Sequence, residues 1–501
     1  MSRKYPNILR NRKARITRRL KPRSWPKQAE PMFTGSNIHF EMADKVQAVG
    51  CGGIGAIHLL AQKIGLVDRI NEQVSVLKRH VPYHESDHVL NMAYNIMAGG
   101  VRIEDIELRR NDECFLNGLG AQRIPDPTTA GDFTRRLAPQ DTLKLMEAIN
   151  QARQQVWRKQ PKGFLAEAVI DVDGTIAGTL GECKGGIGLS YKGIWGYDPL
   201  IVSLANTKEV LFLVNRPGNA TSQQGAPEWI DRAIALVQPH AGTICLRGDT
   251  DFSQTTELDR WDATGVKFVF GIDSHATLVA LAEGLAEAHW RGLERVEPEI
   301  KTQPRERVES VKEKIVKERG YLNQRLKSEQ VAELNYKPVA CSRSYRVVVL
   351  RKNLSIERGE KVLLDEVRYF FYITNRTDLD WDEVVQFAHE RGDQENVISQ
   401  LKSGVNAMRM PVDNLESNWA YMVMAALAWN LKAWYGLLVP DRERGLELVR
   451  MEFRSFLQAI ILLPAQIIRT AGKIVYRILS YNRWLKDFFA TWERLRRLEA
   501  T

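Results

Sequence analysis

Phe164 to Thr175 reads FLAEAVIDVDGT. The apolar run predicts a buried strand. Side chains alternate faces along a strand, so Asp171 and Asp173 point the same way. Two carboxylates on one face of such a strand are costly to bury without a cation or hydrogen-bond donors. Gly174 ends the strand and leaves Asp173 at its edge, so Asp173 rather than Asp171 is the expected ligand-facing acid.

Outward from this stretch, LSYKGIWGYDPLIVSLANTKEVLFLV (189–214) predicts further strands, the last two joined by a turn at Asn206-Thr207-Lys208. APEWIDRAIALV (226–237) reads as a helix, and TICLRGD (243–249) and GVKFVFGI (265–272) as strands. Three strands, a helix and a strand, with more strands later, predict an α/β fold built on a mixed sheet. EPEIKTQPRERVESVKEKIVKERG (297–320) is charged and Pro-interrupted and reads as an insertion. RSYRVVVL (343–350) and EVRYFFYIT (366–374) return to strand character, and from WDEVVQF (381–387) the chain reads as helical to its end. Residues 40–160 read as mostly helical, a region suited to binding DNA, although no helix-turn-helix can be assigned.

Two further acidic positions join the first. Asp249 follows an apolar strand, with Arg247 two residues earlier on the same face; Asp251 is the alternative, and a capping aspartate is the plain reading. In HERGDQENVISQLKSG, Arg391, Glu395 and Lys402 fall within roughly 40° of one another at about 100° per helical residue. Taken alone, that helix offers an exposed Arg391–Glu395 salt bridge. Taken together, two strand-end aspartates and a helix glutamate are the hard oxygen ligands that Mg²⁺ prefers. A pair of such ions can activate the attacking oxygen and stabilise the leaving oxygen of a phosphodiester. Arg391 and Lys402 then face phosphate oxygens.

Charge placement points to the same substrate. The first thirty residues carry eleven Lys/Arg and one acid, Glu30, and so account for the whole net charge of +10. A basic arm of this kind, including Arg10, Arg12, Lys13, Arg15, Arg18 and Arg19, is either a solubilising tail or the footprint of a polyanion, and nucleic acid is the expected partner. The five cysteines are scattered and form no C-x-x-C pair, which fits a reducing cytoplasm. No secretory signal is visible, and the most apolar stretches, AYMVMAALAW and FLQAIILLPAQII, are too short to span a bilayer.

Two motifs suggest other chemistry. His84-Glu85-Ser86-Asp87-His88 spells the H-E-x-x-H of zinc proteases. Pro82 and the capping residues Ser86 and Asp87 place His84 at a helix start, where i,i+4 geometry is not assured, and only Glu104 or Glu107 offers a third ligand. The motif therefore reads as surface histidines at a helix entrance. Gly50 to Gly55 fits G-x-G-x-x-G, but the second strand and distal acid of a dinucleotide fold do not follow. These glycines read as a flexible helix entry.

DVDGT, GYDPLIVSLA…LVNRPGNA, LRGDTDF and the R-(3)-E-(6)-K spacing of ERGDQENVISQLK together resemble the DDE transposases of bacterial insertion sequences. The thirteen-eighty family, allied to the piggyBac group, is the nearest in pattern. The likeness runs from about residue 40 to the C-terminus, taking in VKERGYLNQRL, YRVVVLRKN and AYMVMAALAWNL. It implies an RNase H-like catalytic core split by an insertion. The implied organisation is a basic arm (1–30), a helical DNA-binding region (31–160), the first part of the core (161–290), an insertion (291–350), the second part of the core (351–410) and a helical C-terminal region (411–501). It further implies Mg²⁺-dependent cleavage at transposon ends and strand transfer into target DNA, with Mn²⁺ as a substitute metal. Asp173, Asp249 and Glu395 become the catalytic and metal-binding triad, and Arg391 and Lys402 their basic partners. The expected partners are terminal inverted repeats, target DNA and a second copy of the chain on DNA, in a bacterial, nucleoid-associated setting with no membrane. A nuclease without strand transfer and an inactive DNA-binding relative are the alternatives. One departure from the family pattern stands out: the Tyr three residues before the Arg is Ala388 here, and the neighbouring Phe387 supplies a ring but no phosphate donor.

Overall fold

A computed structural model describes residues 4–21, 32, 38–295, 311–359 and 361–499. The chain divides into two compact units, one of Lys162–Gly178 and Gly188–Ile398, the other of Met1–Pro161, Thr179–Ile187 and Ser399–Thr501.

The first unit is built on a nine-stranded mixed sheet. Its strands are β1 (Leu165–Gly174), β2 (Leu200–Leu204), β3 (Glu209–Val214), β4 (Ala241–Gly248), β5 (Lys267–Ile272), β6 (Arg291–Gly292), β7 (Leu322–Tyr336), β8 (Tyr345–Arg358) and β9 (Lys361–Thr374). Their order across the sheet is β6-β7-β8-β9-β5-β4-β1-β2-β3. β1 pairs parallel with β4, and β4 with β5; every other pairing is antiparallel. β2 and β3 are buried along their whole length, as a short continuous apolar run predicts. The Ala226–Val237 helix packs on the β1–β4 region, and the Trp381–His389 helix packs on β5, β7 and β8. Val384 and Val385 of the latter join a cluster with Val269, Val331, Val348 and Leu350.

β7 is the strand that sequence pattern missed. LNQRLKSEQVAELNY is polar on both faces for most of its length, and its first seven residues are exposed. Only Val331 and Ala332 are fully buried, too short a run for an apolar alternation to mark the strand; its backbone is satisfied by antiparallel pairing from Leu322↔Arg358 to Tyr336↔Tyr345. Residues 296–310 of the expected insertion lie outside the described residues.

In the second unit, the Leu415–Leu437 helix is buried from Ser417 onward. It packs against the Glu85–Met97, Pro139–Trp157 and Arg442–Arg450 helices. Its one lysine, Lys432, donates from Nζ to Val449 O at 2.7 Å and lies 3.7 Å from the centre of the Trp429 ring. Among the described residues, no helix is long and apolar enough to cross a membrane.

The expectation of helix to the C-terminus is corrected by a hairpin, Ala465–Thr470 with Lys473–Ile478, which Ala48–Val49 extends to three strands. Pro464 stops the preceding helical turns. Ala471 (φ 47°) and Gly472 (φ 70°) make the tight turn between two β-branched stretches. The basic segment contains a helix, Lys4–Leu20, anchored by Arg12 donating to Ile478 O (3.0 Å) and Ser480 O (2.9 Å) and by Tyr5 stacked on Phe489 at 5.5 Å. Residues 1–3 and 22–30 of that segment lie outside the described residues.

Candidate active site at the strand ends

Parallel neighbours in a sheet end at the same edge, and open α/β sheets bind ligands beyond those carboxyl ends. β1 and β4 are such a pair, in a register that sets Asp171 opposite Arg247. Two residues further along each strand stand Asp173, at the end of β1, and Asp249, immediately after β4. Strand spacing of about 4.8 Å therefore brings the two carboxylates side by side.

The pair below them sets the register. Arg247 grips Asp171 with two parallel bonds, Nε–Oδ1 at 2.6 Å and Nη2–Oδ2 at 3.0 Å, and both side chains are almost fully buried. Its Nη1 donates to Phe387 O at 2.8 Å, and its guanidinium lies 4.9 Å from the centre of the Phe387 ring. Burial opposes the Arg247 charge, but the bonds to Asp171 hold its pKa above the ordinary value. Thus Asp171 is a clamp residue. One arginine ties together the two acid-bearing strands and the end of the helix that leads to Arg391.

Arg391 lies in the turn between the Trp381–His389 and Gly392–Ser399 helices. Its guanidinium gathers all three acids: Nη1 is 2.9 Å from Asp173 Oδ2 and 3.9 Å from Asp249 Oδ2, and Nη2 is 3.7 Å from Glu395 Oε1. The Gly392–Ser399 helix is fixed to the sheet by Gln394, whose amide donates to Ile201 O at 3.1 Å. Ile201 is the residue of β2 that pairs with Asp173. Lys208, at the β2–β3 turn, pairs with Asp393 on the same helix. Sequence reading found neither tie, since Gln394 and Asp393 look like ordinary polar helix residues.

Exposure rises from Asp173 (16%) through Asp249 (33%) to Glu395 (67%). Burial pushes the Asp173 carboxyl up to about 7; Arg391 opposes this and the neighbouring Asp249 charge adds to it. Asp249 is raised for the same first reason, with Arg391 again opposing and Asp251 adding. Two adjacent carboxylates that resist ionisation, with one arginine between them, are an incomplete electrostatic set that a cation completes. The donors are all carboxylate oxygens, which suits a hard divalent ion.

Asp251 turns away to accept from Ser222 Oγ at 2.9 Å, although its backbone N–H caps Asp249 Oδ1 at 3.1 Å. Behind Gly174, the buried pair Asp198 and Arg216 closes the floor, with Arg216 donating to the carbonyls of Asp198, Thr221, Ser222 and Gln224. A Cβ on Gly174 would come within 3.3 Å of Asp198 Oδ1 and 3.4 Å of Arg216 Nη2. The segments GYDP and NRPGN deliver this pair. Ala388 packs against the valine cluster beneath the site. Lys402 is exposed and belongs to a π-helical turn, Gln400–Gly404. Of the basic arm, Arg10, Lys13, Arg15, Arg18 and Arg19 are exposed along the Lys4–Leu20 helix, whereas Arg12 serves as its anchor.

Neither of the other motifs forms its familiar site. His84 caps the Glu85–Met97 helix, while Glu85 is buried with Oε1 accepting from Val76 N (3.1 Å) and Leu77 N (3.0 Å). His88 is buried rather than at the surface, stacked on Phe133 at 4.3 Å, and burial lowers its pKa to about 4. The glycines are a close packing contact, not a flexible entry. Gly52 N and Gly53 N donate to Leu463 O and Ile461 O, and a Cβ on Gly53 would sit 1.8 Å from Ile460 O.

Fold and site together define an α/β protein with a carboxylate cluster at the ends of parallel strands. The chain belongs to the Transposase DDE domain group 1 family, whose pattern matches residues 43–500. It is a DNA transposase, and DDE transposases in general depend on a divalent metal ion. Among solved structures it is similar to a piggyBac transposase synaptic complex with hairpin DNA determined by cryo-EM, with a TM-score of 0.36, 11% identity and 82% of each chain covered. No curated protein sequence matches the chain significantly.

Proposed function

We propose that Asp173, Asp249 and Glu395 are the catalytic carboxylates of a cut-and-paste transposase that cleaves transposon ends and joins them to target DNA. The observation that carries this reading is the single guanidinium of Arg391 within 3.9 Å of all three acids, which come from three distant parts of the sequence. The strand arrangement supports reading β1–β5 as an RNase H-like core: β1 is central, β2 and β3 run outward antiparallel from it, and β4 and β5 lie parallel on its other side.

Asp173, the most buried of the three, would hold Mg²⁺ together with Asp249 and Glu395; Mn²⁺ has the same preference for oxygen and would substitute. When bound, the ions lower the pKa of an attacking water or 3′-hydroxyl and neutralise the leaving oxygen. The chain's own part is positional. The Asp171–Arg247 clamp fixes the two aspartates, Gln394 fixes the glutamate's helix to the strand beside Asp173, and Arg391 balances the carboxylates. With metal held by the carboxylates, the Arg391 fork would be free to meet a scissile phosphate. The exposed arginines and lysine of the Lys4–Leu20 helix present a row of charges suited to DNA phosphates. Bringing two ends together calls for a second copy of the chain on DNA. The setting we infer is a bacterial insertion sequence acting at the nucleoid.

The test uses the inverted repeats that flank the reading frame as labelled duplexes. Wild type should nick them in Mg²⁺ and join pre-cut ends to plasmid, whereas Asp173→Asn should do neither and still bind the ends. Cleavage without joining would leave a nuclease; unimpaired cleavage by Asp173→Asn would overturn the assignment.

A further inference from the structure

The H-E-x-x-H stretch leaves one feature that transposition does not use. His80 Nε2 lies 3.0 Å from Glu85 Oε2, and the His80 and His84 rings stack with centres 4.2 Å apart and planes 15° from parallel. One ligand atom from each of His80, His84 and Glu85 falls within 4.8 Å of the others, the one such histidine–carboxylate trio among the described residues. We propose that these three residues form a zinc-class metal site that clips the Leu77–His84 loop to the start of the Glu85–Met97 helix.

The chemistry selects the ion. Two imidazoles and one carboxylate are a borderline-soft set that favours Zn²⁺ or a neighbouring transition metal over Mg²⁺, in contrast to the all-oxygen cluster at the strand ends. A tetrahedral zinc ion holds such donors about 3.3 Å apart. Both histidines are exposed, so small ring rotations bring them to that spacing, while the third ligand is already fixed. Glu85 Oε1 is held by the amides of Val76 and Leu77, which leaves Oε2 turned towards His80. A ligand oriented by hydrogen bonds to its other atom is the usual outer support of a metal site. Burial works against the Glu85 charge, but the Leu77, His80 and Val76 bonds outweigh it and keep the carboxyl below its ordinary range. At the other end, Asp87 Oδ2 accepts from His84 N at 2.8 Å and fixes the backbone from which that imidazole springs. The second histidine of the protease motif takes no part, since the His88 ring is packed on Phe133. The site therefore clips a loop and has no protease geometry.

The test is equilibrium dialysis of the full chain against micromolar Zn²⁺ with millimolar Mg²⁺ present to occupy the carboxylate cluster, followed by metal analysis. Wild type should retain about one zinc per chain, and His80→Ala and His84→Ala should each weaken retention by more than the roughly 10–100-fold typical of losing only an outer support. Both substitutions are at exposed positions, so the metal-free variants should still fold cooperatively, at a melting temperature lowered only by the loss of the His80–Glu85 bond or the His84 cap, and only wild type should gain on zinc addition. An Asp173→Asn/Asp249→Asn variant should keep its zinc. Equal zinc in wild type and both histidine variants, loss in the aspartate variant alone, or retention only at millimolar zinc would each overturn the proposal.

Discussion

Replacing Arg247 by Met should destabilise the protein in a way that depends strongly on pH. The substitution removes the two bonds to Asp171 and the bond to Phe387 O while roughly keeping the side-chain volume. Asp171 is then a buried carboxylate without its partner. Its cheapest escape is to take up a proton, which for an ordinary aspartate of pKa about 3.9 costs about 4 kcal/mol at pH 7. That agrees with the roughly 3–5 kcal/mol seen when one partner of a buried ion pair is removed. In the variant the folded state holds a proton that the unfolded state releases above pH about 4. Stability must then fall as pH rises, by about 1.4 kcal/mol per unit. Urea unfolding followed by tryptophan fluorescence should show the Arg247→Met deficit about 2–3 kcal/mol smaller at pH 5 than at pH 7. Adding Asp171→Leu should recover most of the loss, because an apolar pair can replace a buried ion pair at little cost. A deficit below about 1 kcal/mol at pH 7, or one independent of pH, would refute the argument that this clamp holds the two acid-bearing strands in register.

Asp173 shows the opposite economy. Because its folded pKa is raised to about 7, the metal-free protein loses stability as pH climbs from about 4 to 7. Asp173→Asn should therefore stabilise the metal-free protein at pH 8 by on the order of 2–4 kcal/mol, and Mg²⁺ should raise the melting temperature of wild type only. Gly53→Ala drives a Cβ to 1.8 Å from Ile460 O, and calorimetry should show loss of the cooperative transition or a cost above about 3 kcal/mol. Replacing Lys13, Arg15, Arg18 and Arg19 by Ala should weaken end binding at low salt and reduce the slope of log affinity against log salt by up to about 4, as read by fluorescence anisotropy.

What the sequence made legible follows from where one residue type does one job. The apolar runs of β1, β4 and β5 declare themselves, and the two strand-end aspartates stand out because acids are expensive in such surroundings. β7 was illegible because most of both its faces is polar and backbone pairing, rather than an apolar pattern, carries its exposed half. The 465–478 hairpin was hidden because its residues continue an apolar stretch already read as helix. Within the site, the Arg391–Glu395 spacing was visible, but its meaning depends on a break between two helices at Glu390–Arg391, a stretch that reads in the sequence as one continuous helix. Asp171 and Arg247 were both noticed on the right face; that they bind each other is a fact of strand register, which needs the partner strand. The glycine stretch reads as a flexible helix entry because glycine serves both chain freedom and tight packing, and only the facing Ile460–Ala465 segment tells the two apart.

Mn²⁺ binding read by electron paramagnetic resonance, alongside end cleavage, reaches the central claim most directly. If three carboxylates share one metal centre, Asp173→Asn, Asp249→Asn and Glu395→Gln should each weaken Mn²⁺ binding and each abolish cleavage while the fold persists. Wild-type cleavage rates and Mn²⁺ affinity in Glu395→Gln would contradict the account.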